Sequence, residues 1–396
     1  MQTNVSIAEG VYLIGVNDRR TALFENIWPI PYGVSYNSYL IRDDKCALLD
    51  TVEFGSEGAY LDRIEEILGE RELDYLVVNH MEPDHSGEIG TVLKRYPSVK
   101  LIGNAMTRKI LLGYTGDLGD RFMEVKDGDS LSLGKHTLHF YMTPWVHWPE
   151  TMMTYESTEK ILFSADAFGT FGATDGAMTD ALTDLAEYRE EMRRYYSNIV
   201  GKYGAPVQAL LKKAAALDIA FLCPLHGPVW RQDIAWFVEK YQRWSTYRPE
   251  EDGVLVAYAS IYGHTENAAE VFAMALRDAG VKHVAMYDVS VTHPSYILSD
   301  AFRFGKLALL SATYNLGVFP AMETLLLDLK AHALQDRTVA LVENGSWAPA
   351  AGKQMREILS SMKNIRVLEP VPTIRSALAA DTRKALTALA RQLAEA

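Results

Sequence analysis

The stretch Val77–Gly90, VVNHMEPDHSGEIG, places four potential metal ligands within six residues of one another. These ligands are His80, Glu82, Asp84 and His85. They end an apolar run, LDYLVVNH, that predicts a short buried strand, and residues 86–95 predict the next helix. Ligand sites form beyond the carboxyl ends of such strands. The stretch therefore predicts a metal site where a strand ends.

Three further potential ligands also follow predicted strands. His147 stands in TPWVHW, Asp166 in FSADA and His226 in CPLHG. Any one of these histidines taken alone is more often a packed, hydrogen-bonded imidazole. Seven oxygen and nitrogen donors together exceed the needs of one ion and suit two ions that share a carboxylate. The full set therefore predicts a dinuclear metal site.

A polar segment, YRPEEDG at residues 247–253, separates two predicted domains. We place the domains at residues 1–249 and 250–396. Strands and helices mixed along the first part, with long helical runs expected over residues 182–200 and 206–217, predict two sheets covered by helices. In the second part the strands GVLVAYAS, HVAMYDVS, KLALLSAT, TVALVENGS and IRVLEPV alternate with helical segments. This alternation predicts a doubly wound parallel sheet, and the fold class of the chain is therefore α/β.

The loops after the strands of the second domain predict a cofactor site. The first loop, SIYGHT, has hydroxyls and a glycine, lacks Lys and Arg, and opens a helix N-terminus, which suits a singly esterified phosphate. The loops at residues 313–315 and 345–347 each carry a large aromatic that can border a flat ring. Each loop alone is equally well explained by helix capping or packing. The candidate cofactor-binding residues are Ser260, Ile261, Tyr262, Gly263, His264, Thr265, Thr313, Tyr314, Asn315, Gly345, Ser346 and Trp347.

Composition excludes several classes of function. The net charge of −12 disfavours nucleic-acid and anionic-membrane partners. No apolar run reaches the roughly 18 residues of a membrane span, and the N-terminus lacks the pattern of a signal peptide. We therefore expect a cytoplasmic protein. Cys46 and Cys223 form no C-x-x-C pair, which excludes a zinc ribbon or an iron–sulfur centre built from them.

Both halves resemble known folds. Residues 253–396 resemble a flavodoxin domain, which implies FMN with its phosphate at Ser260–Thr265 and its ring beside the two aromatic loops. The ligand order of the first half resembles the metallo-β-lactamase fold, an αββα sandwich whose hydrolases read H-x-H-x-D-H, then H, D and H. Here Glu82 replaces the middle histidine. A carboxylate adds negative charge and a hard oxygen donor, which shifts the preference from zinc toward iron or manganese.

The combination looks like the flavodiiron protein family, and the resemblance covers essentially the whole chain. It implies one iron on His80, Glu82 and His147, and a second iron on Asp84, His85 and His226. Asp166 bridges the two irons, and His85 is the ligand that varies among family members. Further side chains are candidates for lining the pocket, although ordinary packing explains them equally well; they are Asp50, Trp148, Tyr195 and Tyr196.

The resemblance also implies an activity and partners. Flavodiiron proteins reduce dioxygen to water, nitric oxide to nitrous oxide, or both, with electrons relayed through FMN from an external donor such as rubredoxin. A head-to-tail homodimer, or a dimer of such dimers, brings each FMN close to the diiron site of the other subunit. The choice between the two gases stays open. One alternative function is a zinc hydrolase with an accessory flavodoxin domain, and another is a flavin electron carrier with an inactive metal domain.

Overall fold

The computed structural model describes residues 5–396, without the side chains of residues 186 and 187. Contacts divide the chain into two compact units, Met1–Tyr195 with Ala205–Gln242, and Tyr196–Gly204 with Arg243–Ala396. The residues between Tyr196 and Gly204 thus group with the second unit. The single domain boundary between residues 249 and 250 stays a prediction.

The first unit contains short strands and helices that alternate along the chain. Its strands are β1 (Val5–Ala8), β2 (Val11–Leu13), β3 (Val16–Asp18), β4 (Leu23–Phe24), β5 (Trp28–Pro29), β6 (Val34–Tyr36), β7 (Tyr39–Ile41), β8 (Ala47–Leu49), β9 (Tyr75–Val77), β10 (Lys100–Gly103), β11 (Phe122–Glu124), β12 (Ser130–Ser132), β13 (Thr137–Met142), β14 (Met152–Glu156), β15 (Ile161–Phe163) and β16 (Phe221–Cys223). Its helices are α1 (Glu57–Leu68), α2 (Pro83–Ser86), α3 (Ile89–Arg95), α4 (Ala105–Leu111), α5 (Leu185–Tyr195), α6 (Gly204–Ala214) and α7 (Ile234–Ser245), the last of which runs on into the second unit.

Two sheets of the first unit enclose one apolar core. One sheet has the order β1-β2-β7-β8-β9-β10-β11 and the other the order β12-β13-β14-β15-β16. Val77 and Ile102 of the first sheet share a buried cluster with Phe140 and Phe163 of the second. Side chains that alternate along a strand point to opposite faces of its sheet, so the inner faces of the two sheets interdigitate. This arrangement agrees with the predicted sandwich.

The second unit contains a parallel sheet between helices. Its strands are β17 (Glu251–Ala259), β18 (Val284–Asp288), β19 (Phe304–Tyr314), β20 (Gly317–Val318), β21 (Arg337–Asn344), β22 (Ile365–Val367) and β23 (Thr373–Ile374). Its helices are α8 (His264–Asp278), α9 (Pro294–Arg303), α10 (Pro320–Ala331), α11 (Ala351–Ser360) and α12 (Ala380–Glu395). The order β18-β17-β19-β21-β22 is that of flavodoxin-like sheets, and these five strands pair in parallel as predicted.

Two of the predicted helices are wrong in detail. The helix expected over residues 86–95 is interrupted at Gly87, which separates α2 from α3. The carbonyl oxygen of His85 accepts hydrogen bonds from the backbone nitrogen and from Oγ1 of Thr51, both at 2.8 Å, so it does not take part in a continuous helical ladder. The helix expected over residues 182–200 begins at Leu185, and a π-helical turn replaces it from Tyr196 to Val200.

Within the described residues, no helix is long and apolar enough to cross a membrane.

Candidate functional site

The predicted metal ligands follow strands that end on the same side of their sheets. His147 follows β13, Asp166 follows β15 and His226 follows β16. β13 and β15 both pair antiparallel with β14, and β15 pairs parallel with β16, so these three strands end at one edge of their sheet. The remaining ligands come from the opposite sheet, after β9 and on α2. All seven side chains are buried; they are His80, Glu82, Asp84, His85, His147, Asp166 and His226.

Four of these side chains form a first cluster, namely His80, Glu82, His147 and Asp166. Glu82 Oε2 lies 2.8 Å from His147 Nε2 and 3.2 Å from His80 Nε2. The two Nε2 atoms of His80 and His147 are 3.4 Å apart. Asp166 Oδ2 lies 3.1 Å from His147 Nε2 and 3.4 Å from His80 Nε2. One ligand atom from each side chain therefore converges on a common point.

The other three side chains form a second cluster of Asp84, His85 and His226. The Nε2 atoms of His85 and His226 are 3.0 Å apart, and Asp84 Oδ2 lies 3.2 Å from the first and 3.3 Å from the second. Asp166 faces this cluster with its other oxygen, because Oδ1 lies 3.1 Å from His85 Nε2 and 3.8 Å from His226 Nε2. Asp166 thus presents one carboxylate oxygen to each cluster.

Hydrogen bonds behind the ligands fix the imidazole orientation. His80 Nδ1 donates to Glu150 Oε1 across 2.8 Å, and His226 Nδ1 donates to the carbonyl oxygen of Ser35 across 2.8 Å. Each neutral imidazole then turns the lone pair of its Nε2 atom toward its cluster, as metal-binding histidines do. His85 Nδ1 has no hydrogen-bond partner, so nothing comparable fixes the orientation of this ring.

The electrostatics of the two clusters fit a pair of cations. Burial lowers the pKa of His80, but the negative charge of Asp166 and hydrogen bonds to nearby carboxylates outweigh it and raise the pKa well above its usual value. Burial raises the pKa of Asp166, yet the surrounding histidines hold it well below its usual range. The carboxylate oxygens of Asp84 and Asp166 accept no hydrogen bond although they are buried. Buried carboxylates without hydrogen bonds cost folding free energy unless cations bind them. The residues present therefore fit two metal ions.

Aromatic rings surround the second cluster. The rings of Phe24, Tyr36 and Tyr195 lie 5.4, 5.8 and 5.4 Å from the His226 ring. The Tyr195 hydroxyl is buried and has no hydrogen-bond partner. Burial and the charges of Asp166 and Asp84 raise its pKa well above 10, so the phenol stays protonated and remains a donor.

Of the other candidates for lining the pocket, Trp148 lies edge-on to His80 at 5.5 Å between ring centroids. Tyr196 instead packs on Trp244 and Phe302 in the second unit. Asp50 supports the backbone, because its carboxylate accepts hydrogen bonds from the backbone nitrogens of Asn79 and His80. Burial raises the pKa of Asp50 to about 6.

Sequence reasoning did not identify two carboxylates near the clusters. Glu150 Oε1 also accepts a hydrogen bond from the backbone nitrogen of Met81 at 2.8 Å. Glu25 lies on the turn between β4 and β5, and the residue as a whole is exposed. Its carboxyl group nevertheless contacts Glu82 and accepts a hydrogen bond from Trp28 Nε1 at 2.8 Å. Loss of contact with water and the neighbouring Glu82 carboxylate raise the pKa of Glu25 to about 7. No local sequence pattern marks either residue.

A cavity of about 360 Å³ lies at the carboxyl ends of the parallel strands in the second unit. Gly263 has a φ of 84° and precedes α8, and its backbone nitrogen donates to Ser260 Oγ at 3.1 Å. Most of the predicted cofactor-binding residues line this cavity; they are Ser260, Ile261, Tyr262, His264, Thr265, Thr313, Asn315, Gly345, Ser346 and Trp347. Hydroxyls at a helix N-terminus together with the exposed indole of Trp347 suit a phosphate attached to a flat ring.

The cavity also differs from the prediction in several positions. Gly263 and Tyr314 do not line it; the Tyr314 ring lies 6.1 Å from the ring of Phe319. Five lining residues were not predicted, namely Ala312, Leu316, Asn344, Ala348 and Ser376. Asn344 Nδ2 donates to Thr265 Oγ1 at 3.3 Å and to the carbonyl oxygen of Ser376 at 3.0 Å, so it connects the loops around the cavity.

Known protein families match both parts of the chain. Residues 34–227 match the family described as ODP family beta lactamase, and residues 256–391 match flavodoxin. An uncharacterised protein of Methanocaldococcus jannaschii is 30% identical over 358 residues, which cover 90% of each chain. The nitric oxide reductase of Moorella thermoacetica is 29% identical over 95% of this chain and 94% of its own length.

Solved structures share the fold along the whole chain. The rubredoxin oxygen:oxidoreductase of Desulfovibrio gigas superposes with a TM-score of 0.94 at 27% identity, covering 99% of this chain and 98% of its own. A mutant form of the flavo di-iron protein of Thermotoga maritima superposes with a TM-score of 0.90 at 27% identity, covering 98% of both chains. The lactamase-like sandwich, the flavodoxin-like sheet and these relatives agree, and the chain belongs to the flavodiiron protein family.

Proposed function

We propose that this protein is an oxidoreductase that reduces dioxygen to water, nitric oxide to nitrous oxide, or both, at a non-haem diiron site fed by FMN. The observation that carries the proposal is the position of Asp166, which turns one oxygen to each of two clusters of inward-facing imidazoles and carboxylates. Relatives named as oxygen and nitric oxide reductases support the same function.

The two clusters divide the ligands between two irons. His80, Glu82 and His147 would hold one iron, and Asp84, His85 and His226 would hold the other. Asp166, with one oxygen facing each cluster, would be shared between the two. Glu82 supports iron over zinc, because a carboxylate in place of a neutral imidazole is a harder donor and adds charge that stabilises the higher oxidation state.

A reduced iron pair and a reduced FMN together hold the four electrons that conversion of dioxygen to water requires. The side chains around the clusters orient the ligands and exclude water. Glu150 and the Ser35 carbonyl keep the imidazoles of His80 and His226 in their metal-binding orientation. Phe24 and Tyr36 keep bulk water from the second cluster. The hydroxyl of Tyr195 stays protonated beside the second cluster, so it would be available to donate a hydrogen bond to a bound gas.

The proposed FMN site keeps most of the residues predicted from the sequence. Ser260 to Thr265 bind the phosphate through hydroxyls and the first backbone N–H groups of α8. Thr313, Asn315 and Gly345 to Trp347, which line the cavity, border the ring. Cations are unnecessary for a singly esterified phosphate that hydroxyls and a helix N-terminus already bind.

The proposed electron donor and oligomeric state are inferred from the family. The electron donor is a rubredoxin-type protein, which is supported by the similarity to the rubredoxin oxygen:oxidoreductase of Desulfovibrio gigas. We also propose that the protein forms a head-to-tail homodimer or a dimer of such dimers, that its domain boundary lies between residues 249 and 250, and that it is cytoplasmic.

The test is anaerobic reduction of the purified protein followed by separate exposure to each gas. We expect one FMN and two irons per chain, and rapid oxidation of both cofactors by dioxygen, nitric oxide or both. A reduced protein that neither gas oxidises faster than free FMN would refute the proposal.

The hydrolase alternative predicts a different metal. Elemental analysis of the wild type distinguishes the two functions, since a hydrolase retains zinc. The variant Glu82→His restores the hydrolase ligand pattern, and we expect it to bind less iron and to lose gas reduction. The exposed Glu57→His on α1 is the matched control and keeps wild-type iron content.

A further inference from the structure

A strained turn forms part of the wall of the flavin cavity. β19 and β20 are antiparallel, with Tyr314 opposite Gly317, so Asn315 and Leu316 form a two-residue hairpin turn. Their φ angles are 50° and 62°. Two consecutive positive φ angles characterise the type I′ turn, which prefers Asn followed by Gly.

Leu316 is poorly suited to this conformation. A left-handed backbone costs a residue with a Cβ roughly 1–2 kcal/mol, and a leucine has no short polar group to compensate. Packing does not offset the cost, because the Leu316 side chain is 65% exposed. The turn therefore needs another source of stabilisation.

The side-chain amide of Gln354 supplies it. Gln354 Nε2 donates to the carbonyl oxygen of Leu316 at 3.0 Å, and Gln354 Oε1 accepts from the backbone nitrogen of Val318 at 3.3 Å. The amide thus holds both sides of the strained segment. A Cβ atom at Gly317 would lie 3.2 Å from Gln354 Oε1, so the glycine makes room for the amide to pack flat against the hairpin.

The helix that carries Gln354 is itself anchored to the sheet. The backbone nitrogens of Ala350 and Ala351 donate to Thr313 Oγ1 at 3.1 and 3.3 Å. The backbone nitrogen of Gly352 donates to Glu343 Oε2 at 2.9 Å. The first turn of α11 is therefore tied to β19 and β21, and the position of the Gln354 amide is fixed relative to the cavity.

We infer that Gln354 is a positioning residue for the flavin, because its amide holds the Asn315–Leu316 turn in the left-handed shape that lines the cavity. This inference rests on the proposed function, since it takes the occupant of the cavity to be FMN. Loss of the amide releases the strain in Leu316, the turn relaxes, and the wall of the cavity moves away from the ring.

The test compares Gln354→Met, which keeps the length of the side chain and removes both hydrogen bonds, with the wild type. Flavin-free protein is titrated with FMN, and the midpoint potential of the bound FMN is measured by spectroelectrochemistry. We expect an approximately tenfold weaker affinity, the effect of about 1.4 kcal/mol. We also expect a shifted potential, which a loss of overall stability alone would not produce.

A rescue experiment separates positioning from general destabilisation. Leu316→Gly adopts the turn without strain, so the double variant Gln354→Met/Leu316→Gly should bind FMN within about threefold of the wild type. Lys353→Met, at the neighbouring exposed position on α11, is the matched control and should leave both quantities unchanged.

Two results would overturn the inference. One is wild-type affinity and potential in Gln354→Met; the other is a double variant as impaired as the single variant. A wild-type protein that binds no FMN would instead refute the proposed function, so the two failures are distinguishable.

Discussion

Glu150 accepts a hydrogen bond from Nδ1 of His80 across 2.8 Å, although 70 positions separate the two residues in the sequence. The same oxygen accepts a bond from the backbone nitrogen of Met81. One buried carboxylate therefore fixes the ring of a proposed iron ligand and the backbone of the residue that follows it. Partners of this kind orient metal ligands and raise their basicity.

We expect Glu150→Gln to weaken iron binding by roughly 10- to 100-fold, because the neutral amide is a weaker acceptor for the imidazole N–H. Competition with a chelator measures the affinity. Glu156→Gln is the control, since Glu156 is also buried but bonds to the backbone nitrogens of Thr158 and Glu159. The control should lower stability and keep the metal affinity; equal affinities in both variants would contradict the role of Glu150.

Tyr195→Phe should slow gas reduction without loss of stability. The hydroxyl is buried without a hydrogen-bond partner, and removing such a group gains about 1 kcal/mol of unfolding free energy. Oxidation of the reduced protein should become roughly 100- to 1000-fold slower, as when a donor to a reacting group is lost. Stopped-flow spectroscopy measures the rate and thermal unfolding measures the stability.

The comparison for this variant is Tyr241→Phe. The Tyr241 hydroxyl accepts a hydrogen bond from the backbone nitrogen of Phe168 at 2.6 Å, so its removal should destabilise the protein. A Tyr195→Phe variant that loses stability and retains full activity would contradict the role of the Tyr195 hydroxyl in gas reduction.

Glycines at the two ends of α8 should respond differently to alanine. Gly263 precedes the helix with a φ of 84°, and Gly280 follows it with a φ of 92°. A Cβ atom at Gly280 meets nothing within 4 Å, and at Gly263 it meets only Glu266 Oε2 at 3.8 Å, so the cost of either substitution is backbone strain of roughly 1–2 kcal/mol.

We therefore expect similar losses of stability from Gly263→Ala and Gly280→Ala, measured by chemical denaturation. Only Gly263→Ala should also weaken FMN binding, because it changes the shape of the phosphate loop. Equal FMN affinities would place the phosphate elsewhere.

His332 should make the stability of the second unit depend on pH. Its Nδ1 lies 2.9 Å from the Asp328 carbonyl and its Nε2 lies 3.0 Å from the carbonyl of Asn198. Burial lowers the pKa of His332, but bonds to Asp328 and Asn198 outweigh it and leave the pKa raised. Since protonation is favoured in the folded state, the stabilisation is complete below the ordinary histidine pKa and is lost as pH rises through the raised value.

Urea unfolding of the whole protein, followed by FMN fluorescence, should show this loss above about pH 6.5. His332→Gln should flatten the dependence, whereas His283→Gln, at an exposed histidine of the same unit, should preserve it. A pH dependence that survives in His332→Gln would assign it to another group.

The seven proposed metal donors, which the fold brings together in two clusters, could be selected from the sequence because they lie beyond the ends of apolar strands. Strand ends are visible as local patterns, and parallel strands that end at one edge bring their following residues together. The five parallel strands of the second unit were confirmed for the same reason. The predicted helix over residues 86–95 was wrong where the cause is a contact between distant segments, since the carbonyl oxygen of His85 bonds to Thr51.

The supporting residues were beyond local patterns. Three supporting residues form hydrogen bonds with partners at least 30 positions away in the chain; they are Glu150, Ser376 and Gln354. A single polar side chain of this kind is ordinary at a protein surface, so the local sequence does not distinguish it. Leu316 is a clearer case, because leucine predicts against the left-handed turn that it occupies. Only the three-dimensional contact with Gln354 explains it.

The proposed ligands of the metal centre are nitrogen and oxygen atoms of histidine, aspartate and glutamate, and Cys46 and Cys223 are both buried. Thiolates that bind metals are readily converted to sulfenic and sulfinic acids by peroxide, whereas imidazole and carboxylate donors do not enter that series of reactions. A metal centre with these donors is therefore not open to thiolate oxidation, which is one route by which an oxidising substrate inactivates a catalyst.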